Sequence, residues 1–499
     1  MQSFTGGTIE KFHVERFTLF LVAAAVLSAL NYGQFLLNPA NVGTPFLYVI
    51  LVVSEIYVII HLIISWITIL AGSKDVRDIH YFDIKKKLKL GQLKATIDVF
   101  ITVYGEPLEI IKETIVAAKA LTLNHETYVL DDGKSDEVKR LAATLGVNYI
   151  RRDINLNAKA GNINHALSIT KGEYFAIFDA DFVPKKDFLL KTIPFFNDEQ
   201  VAFVQTPQVY RNTDNMISKG AALAQNIFYK LICPGKNSFG AVFCVGTNVV
   251  FRKEPLMKTL NGIYDKSNSE DIWTAYMLHQ SGYKSVFLEE ELATGLAPEN
   301  APDYLKQQQR WATGAFEIFF KKNPLFAKLS FDQKFQYLDS VIHYFSGIVL
   351  LINIFMPVMY LYFGMLPINP AGGFQEWAIH YLPYLITQYL IITHIIGKNF
   401  ISAVVVTVAS YWVYIKAIKD AISKKKKKWV TTGSKKKEVR IGDYLVYHYV
   451  TVAILVSAII VGVFNIKDTT LTIGYILWAL LYIVIFAIFI QTSLKLQHK

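Results

Sequence analysis

The chain has 499 residues, of which 53% are hydrophobic and 14% aromatic, and a formal net charge of +11. Long uncharged runs account for that excess of apolar residues, which excludes an ordinary soluble protein of this size. The positive charge sits in short clusters beside those runs, so it points to membrane topology and lipid contact and away from nucleic acid.

Residues 17–37 and 46–71 are apolar and each is long enough to cross about 30 Å of hydrocarbon. The first is too long for the core of a cleavable signal peptide and reads as a retained anchor. Lys11 and Arg16 precede it, and Lys74, Arg77, Lys85, Lys86, Lys87 and Lys89 follow the second segment, whereas the loop 38–45 has no Lys or Arg. The positive-inside rule then puts the N-terminus and the chain after residue 71 in the cytoplasm.

From about residue 94 to 328 charges are spread throughout. Residues 97–103, 127–130 and 174–178 read as buried parallel strands, with helical stretches such as 108–120 between them. That alternation predicts a doubly wound α/β domain with ligands at the carboxyl ends of its strands. Cys233 and Cys244, the two cysteines, make no disulfide framework and stand in no zinc-ligand spacing.

Membrane character returns in residues 342–363, 377–396, 444–464 and 471–490, with 367–376 and 465–470 as outside loops. Residues 400–422 are apolar but carry Lys416 and Lys419, and read as one helix lying in the cytoplasmic interface. The expected architecture is a membrane α-helical bundle with an inserted cytoplasmic α/β domain. Two spans lie in 1–75, the domain is 94–328, and four spans lie in 329–499.

Asp179-Ala180-Asp181 directly follows a predicted strand. Two carboxylates one residue apart at a strand end can share Mg²⁺ or Mn²⁺ with a diphosphate and neutralise it as a leaving group. A lone Asp-x-Asp is more often a solvated strand end. Asp131-Asp132-Gly133 ends another strand in the same way, which shifts the balance. Glu270-Asp271 precedes a helical run at 272–280 and reads either as a helix cap or as a general base for an acceptor hydroxyl. Gln307, Arg310 and Trp311 fall within about one helical turn. Arg suits a diphosphate and indole the apolar face of a sugar, although an amphipathic surface helix uses the same residue types.

Together and in this order, these motifs resemble the family 2 processive glycosyltransferases, which include cellulose, chitin and hyaluronan synthases. The resemblance runs from about 97 to 326 and extends to Thr102-Val103-Tyr104-Gly105-Glu106-Pro107, Lys159-Ala160-Gly161-Asn162, Phe243-Cys244-Val245-Gly246-Thr247-Asn248 and Gly295-Leu296-Ala297-Pro298-Glu299. The Lys-Ala-Gly-Asn and Gly-Leu-Ala-Pro-Glu segments look most like the cellulose synthase branch.

The resemblance implies a GT-A glycosyltransferase domain and assigns roles within it. Thr102, Tyr104, Glu106, Asp132 and Lys159 would hold the uridine end, and Asp179 and Asp181 the metal and diphosphate. Asp271 would be the base. Gln307, Arg310 and Trp311 would line the acceptor and diphosphate site, with Glu270 and the segment of Phe243, Cys244, Gly246 and Thr247 beside the acceptor sugar. Residues 428–437, with Trp429, Thr431, Thr432 and Lys435, resemble a gating loop that closes over bound nucleotide, in a form nearer to hyaluronan synthases. Lys424–Lys428 reads as a lipid-facing charge run. Glu55 and His61, inside the second apolar segment, either line a polymer exit path or are satisfied packing residues. The sequence ends soon after Ile490, so the soluble nucleotide-sensing domain usual in bacterial cellulose synthases is not expected here.

The expected activity is therefore inverting, processive synthesis of a β-linked polysaccharide, with UDP-glucose as preferred donor. UDP-N-acetylglucosamine is the second donor, and single transfer to a lipid carrier is an alternative reaction. An inactive transferase domain on a channel is disfavoured because every expected acidic residue is present. Expected partners are the UDP-sugar, the growing chain, membrane lipids and export subunits, in an integral plasma or inner membrane location.

Overall fold

A computed structural model describes residues 16–72, 75–397, 400–423, 441–466 and 468–497. Ten strands occur in chain order: β1 (Ile97–Val103), β2 (Glu126–Asp131), β3 (Asn148–Ile150), β4 (Tyr174–Asp179), β5 (Val183–Pro184), β6 (Val201–Gln205), β7 (Val209–Tyr210), β8 (Val249–Arg252), β9 (Lys284–Phe287) and β10 (Ala293–Gly295). Seven build a mixed sheet in the order β3-β2-β1-β4-β8-β6-β9, and β5-β10-β7 form a small second sheet. In the large sheet only β8 runs against its neighbours.

The central strands read as near-continuous apolar runs because helices cover both faces. β1 is buried along its whole length. The helix Leu108–Lys119 packs Ile111, Ile115 and Ala118 into one core, and Ala158–Ile169 packs Ile163 and Ala166 into the core on the other side. The register then fixes the site. β1 lies between β2 and β4, parallel to both, with Val103 opposite Asp131 and Thr102 opposite Asp179. The two acidic strand ends therefore meet at one edge.

Outside the sheets, five helices among the described residues are long and apolar enough to cross a membrane: Arg16–Leu36, Pro45–Ala71, Phe331–Phe363, Gly442–Phe464 and Thr469–Gln497. The expected span at 377–396 is a helix, Gly373–Ile396, but it is not one of the five. It is more polar because it forms a ladder with Arg16–Leu36: His394 meets Thr18 at 3.0 Å, Thr387 meets Ser28 at 2.7 Å and His380 meets Asn31 at 3.1 Å. The expected single helix at 400–422 is two, Ile401–Ala409 and Tyr411–Ile422, bent by 43°. Ser410 at the bend donates its hydroxyl back to the Val406 carbonyl at 2.9 Å, a local bond that bends helices. Counted as one broken span, the pair raises the number to six.

Candidate active site

A cavity of about 740 Å³ opens at the carboxyl ends of β1, β2 and β4. Its walls include Thr102, Tyr104, Glu106, Asp132, Lys159, Asp179, Asp181, Gly246, Glu270, Asp271, Gln307, Arg310 and Trp311. Segments far apart in the sequence thus supply one chamber.

Thr102, next to last in β1, donates its hydroxyl to Asp179 Oδ1 at 2.9 Å. Just beyond it, Glu106 Oε2 accepts the Tyr104 N–H at 2.7 Å. Burial pushes the Glu106 carboxyl above the usual range, against the backbone amides that lower it. The two aspartates after β2 divide their work. Asp131 builds the turn, accepting the N–H groups of Lys134 at 3.0 Å and Ser135 at 2.8 Å and the Tyr149 hydroxyl at 2.8 Å. Asp132 faces the cavity and is gripped by two bonds from Arg152, at 2.7 and 2.6 Å.

Arg152 also donates to the carbonyls of Leu156 at 2.6 Å and Ala158 at 2.8 Å. It so braces a loop in which Asn157 and Ala158 both have positive φ, a conformation unfavourable for residues with a Cβ. That loop delivers Lys159 in the first turn of its helix. The Lys159 ammonium pairs with Asp179 and donates to the Gly246 carbonyl at 2.8 Å. Burial lowers its affinity for the proton, but Asp179, Glu270 and Asp271 outweigh burial and raise it.

Asp181 is pushed up to about 7 by burial, with the charges of Asp179 and Glu106 adding to it. A carboxylate so short of positive charge fits a cation. Among the described residues no group of three or more His, Cys, Asp or Glu side chains converges as a metal site. An ion held by Asp179 and Asp181 would need further oxygens from a substrate, which fits Mg²⁺ or Mn²⁺ shared with a diphosphate.

Glu270 and Asp271 open the helix Glu270–Gln280. The capping position belongs to Ser269, and Asp271 Oδ1 accepts the Ile272 N–H at 2.8 Å. Acids in a first turn are favoured by the helix dipole. Burial raises both carboxyls, and the neighbouring Asp271 charge helps carry Glu270 to about 7. Gly246 has φ of +87°, and a Cβ there would lie 3.3 Å from Asp271 Oδ2 and 3.6 Å from Lys159 Nζ. Glycine therefore lets this segment pass between Asp271 and Lys159.

Gln307, Arg310 and Trp311 reach the cavity from the helix Ala301–Lys321. The Arg310 carbonyl accepts the Ser269 hydroxyl at 3.3 Å, tying this helix to the turn before Asp271. The segment 243–247 splits. Gly246 lines the cavity, and Thr247 Oγ1 accepts the Asp179 N–H at 3.0 Å from beneath. Phe243 instead packs on the Phe228 ring, centroids 5.7 Å apart, and Cys244 is buried in the domain core; neither lines the cavity. Trp429, Thr431, Thr432 and Lys435 lie outside the described residues.

Two participants are absent from the sequence reading. Arg152 looks like half of a surface Arg-Arg pair until the fold closes it on Asp132. Tyr210, from the small sheet, takes hydrogen bonds from Gln225 at 3.1 Å and Gln307 at 3.5 Å, and burial pushes its hydroxyl up to about 12. No local motif marks either.

Residues 98–260 match the family Glycosyl transferase family 2, and residues 256–413 match Cellulose synthase. The cellulose synthase catalytic subunit (UDP-forming) of Pseudomonas fluorescens (strain SBW25) is 37% identical over 331 residues, 64% of this chain and 44% of that protein. Its counterpart in Xanthomonas axonopodis pv. citri (strain 306) is 34% identical over 267 residues, 52% of this chain and 36% of that protein. The matched region thus spans less than half the length of these relatives. Among solved structures, a mannosyltransferase from Pyrobaculum calidifontis in complex with GDP-Man and Mn²⁺ aligns with 72% of this chain at 16% identity and a TM-score of 0.49.

Proposed function

We propose that the chain is a processive, inverting, UDP-forming glycosyltransferase with a GT-A catalytic domain, a reading supported by the match of residues 98–260 to Glycosyl transferase family 2 and of residues 256–413 to Cellulose synthase. It adds glucose from UDP-glucose to a growing β-glucan and passes the product across the membrane. The observation that carries this reading is the meeting of Lys159, Asp179, Asp271, Arg310 and Trp311 in one cavity at the strand ends.

The roles follow from charge and placement. The uridine end takes Thr102, Tyr104, Glu106 and Asp132, with Arg152 holding Asp132 in place. Lys159 and Arg310 carry positive charge for the diphosphate. Asp179 and Asp181 would hold a divalent cation, which would supply further neutralisation for the diphosphate of UDP. Trp311 gives the acceptor sugar a flat apolar face. Asp271 takes the proton of the acceptor hydroxyl as that oxygen attacks the anomeric carbon from the face opposite UDP. One C–O bond forms as the C–O bond to phosphate breaks, so an α-linked donor yields a β-linkage. The five apolar helices support a multi-pass location, with the catalytic domain on the cytoplasmic, UDP-sugar side.

The test uses protein in nanodiscs with Mg²⁺ or Mn²⁺ and radiolabelled UDP-glucose or UDP-N-acetylglucosamine in separate reactions. Label from UDP-glucose retained at a chromatography origin is the expected result. Label retained only from UDP-N-acetylglucosamine would replace the donor, and a short lipid-soluble product would replace processive synthesis with transfer to a carrier.

A further inference from the structure

The helix Ile79–Lys89, between the apolar helix Pro45–Ala71 and β1, takes no part in the chemistry above. Its inner face is settled. Tyr81 and Leu88 are buried, the Tyr81 ring lies 4.7 Å from the Phe195 ring, and its hydroxyl donates to the Lys191 carbonyl at 3.1 Å. Arg77, just ahead of the helix, pairs with Glu290 at 2.6 Å. The helix is therefore fixed to the catalytic domain and presents one chosen face outward.

That outer face is apolar. Ile79 is 80% exposed, Phe82 53% and Leu90 59%, with Leu93 beyond it at 41%. At 100° per residue, positions 79, 82, 86 and 90 form a single stripe. Lys86 stands within it, and Lys85 and Lys89 stand along one border. Lysines in a last turn suit the helix dipole, but the dipole gives no reason for an exposed Ile and Phe. A basic helix with an exposed apolar stripe is the chemistry of a membrane surface. Position agrees: the capping residue, Asp78, is seven residues past Ala71, a stretch that spans at most about 25 Å.

We propose that this helix docks on the leaflet beside the catalytic domain. Ile79, Phe82, Leu90 and Leu93 enter the headgroup region, and Lys85, Lys86 and Lys89 receive anionic lipid headgroups. The proposal rests on the reading that the catalytic domain sits against the membrane. Docking would hold the domain, and with it the cavity, at a fixed height and tilt above the apolar helices.

Both native cysteines are buried, so Phe82→Cys offers one accessible thiol for a fluorophore. The labelled protein is placed in nanodiscs of phosphatidylcholine with or without phosphatidylglycerol. Quenching by brominated lipid and by aqueous iodide is then read. The expected result is strong lipid quenching with protection from iodide, greater with phosphatidylglycerol, and loss of that lipid preference when Lys85, Lys86 and Lys89 are changed to Gln. A label open to iodide and untouched by brominated lipid would overturn the proposal. Equal quenching in both lipid mixtures would overturn the assignment of the lysines. UDP release measured in the same discs separates the two readings: docking without UDP release counts against the reaction, and UDP release without docking against the helix.

Discussion

At the scale of single residues, the chemistry turns on how buried carboxylates are charged. Asp271→Asn keeps the shape of the base and removes its ability to take a proton, so transfer should fall by about 10²–10⁴-fold while UDP binding persists. Calorimetric titration of UDP beside a rate assay separates the two; transfer at the wild-type rate would end the base assignment. Glu270 stands beside Asp271 and is raised to about 7. As pH falls through that region Glu270 gains a proton and loses its charge, so activity should change near neutrality and not near the ordinary carboxyl range. Asp181 is raised to about 7 as well, so the comparison is made at saturating Mg²⁺, where a cation on Asp181 would keep it ionised: Glu270→Gln should then remove that limb from the pH–rate profile, and an unchanged limb would exclude Glu270 as its source. Arg152→Met leaves Asp132 buried without a partner. Breaking such a pair costs about 3–5 kcal/mol, which thermal unfolding should register along with weaker UDP binding. Asp179, Asp181, Asp271 and Arg310 are legible in the sequence because each stands in a short motif beside a strand or on a helix. Arg152 and Tyr210 are not, because their partners lie on other elements and only the fold brings them together. Phe243 and Cys244 belong to the right motif, but both pack inward, Phe243 on the Phe228 ring and Cys244 in the domain core, and the chain turns at Gly246, with φ of +87°, which faces the cavity.

At the scale of elements, the strands were readable because buried parallel strands are continuous apolar runs with acidic ends. Their order was not, since pairing depends on residues far apart in the chain. The bend at Ser410 and the polar ladder of Gly373–Ile396 were likewise hidden. A Ser in an apolar run gives no sign that its hydroxyl will return to the preceding turn, and a His or Thr gives no sign of its partner on another helix. Several contacts join the catalytic domain to the apolar helices, such as Ser238 donating to the Ala71 carbonyl at 2.7 Å and Lys236 to the Gln336 carbonyl at 2.7 Å, and the tightest is at Gly235. A Cβ on Gly235 would meet the Thr68 carbonyl oxygen at 1.9 Å, against backbone. Gly235→Ala must therefore separate the segment Cys233–Ser238 from Pro45–Ala71. It should destabilise the protein by about 1–3 kcal/mol, seen as a lower unfolding temperature, with activity lost before UDP affinity. An unaltered unfolding temperature would show that this contact yields freely.

At the scale of the molecule, apolar helices stand before and after an α/β domain, an arrangement that on the proposed reading would place a polymerising site next to a route across the membrane. Glu55 and His61 lie on the helix Pro45–Ala71, and His61 Nδ1 meets Asp339 Oδ1 at 3.1 Å. That pairing favours the packing reading for His61. The central claim is that one bound chain is extended many times before release. Its most direct measurement is the length and linkage of product at the earliest times, with UDP-glucose in excess over protein in nanodiscs. The account predicts that the first detectable product is already long and is cleaved by a β-1,4-glucanase, with protein still outnumbering chains. A ladder of short products that lengthens slowly, or product resistant to that enzyme, would contradict it.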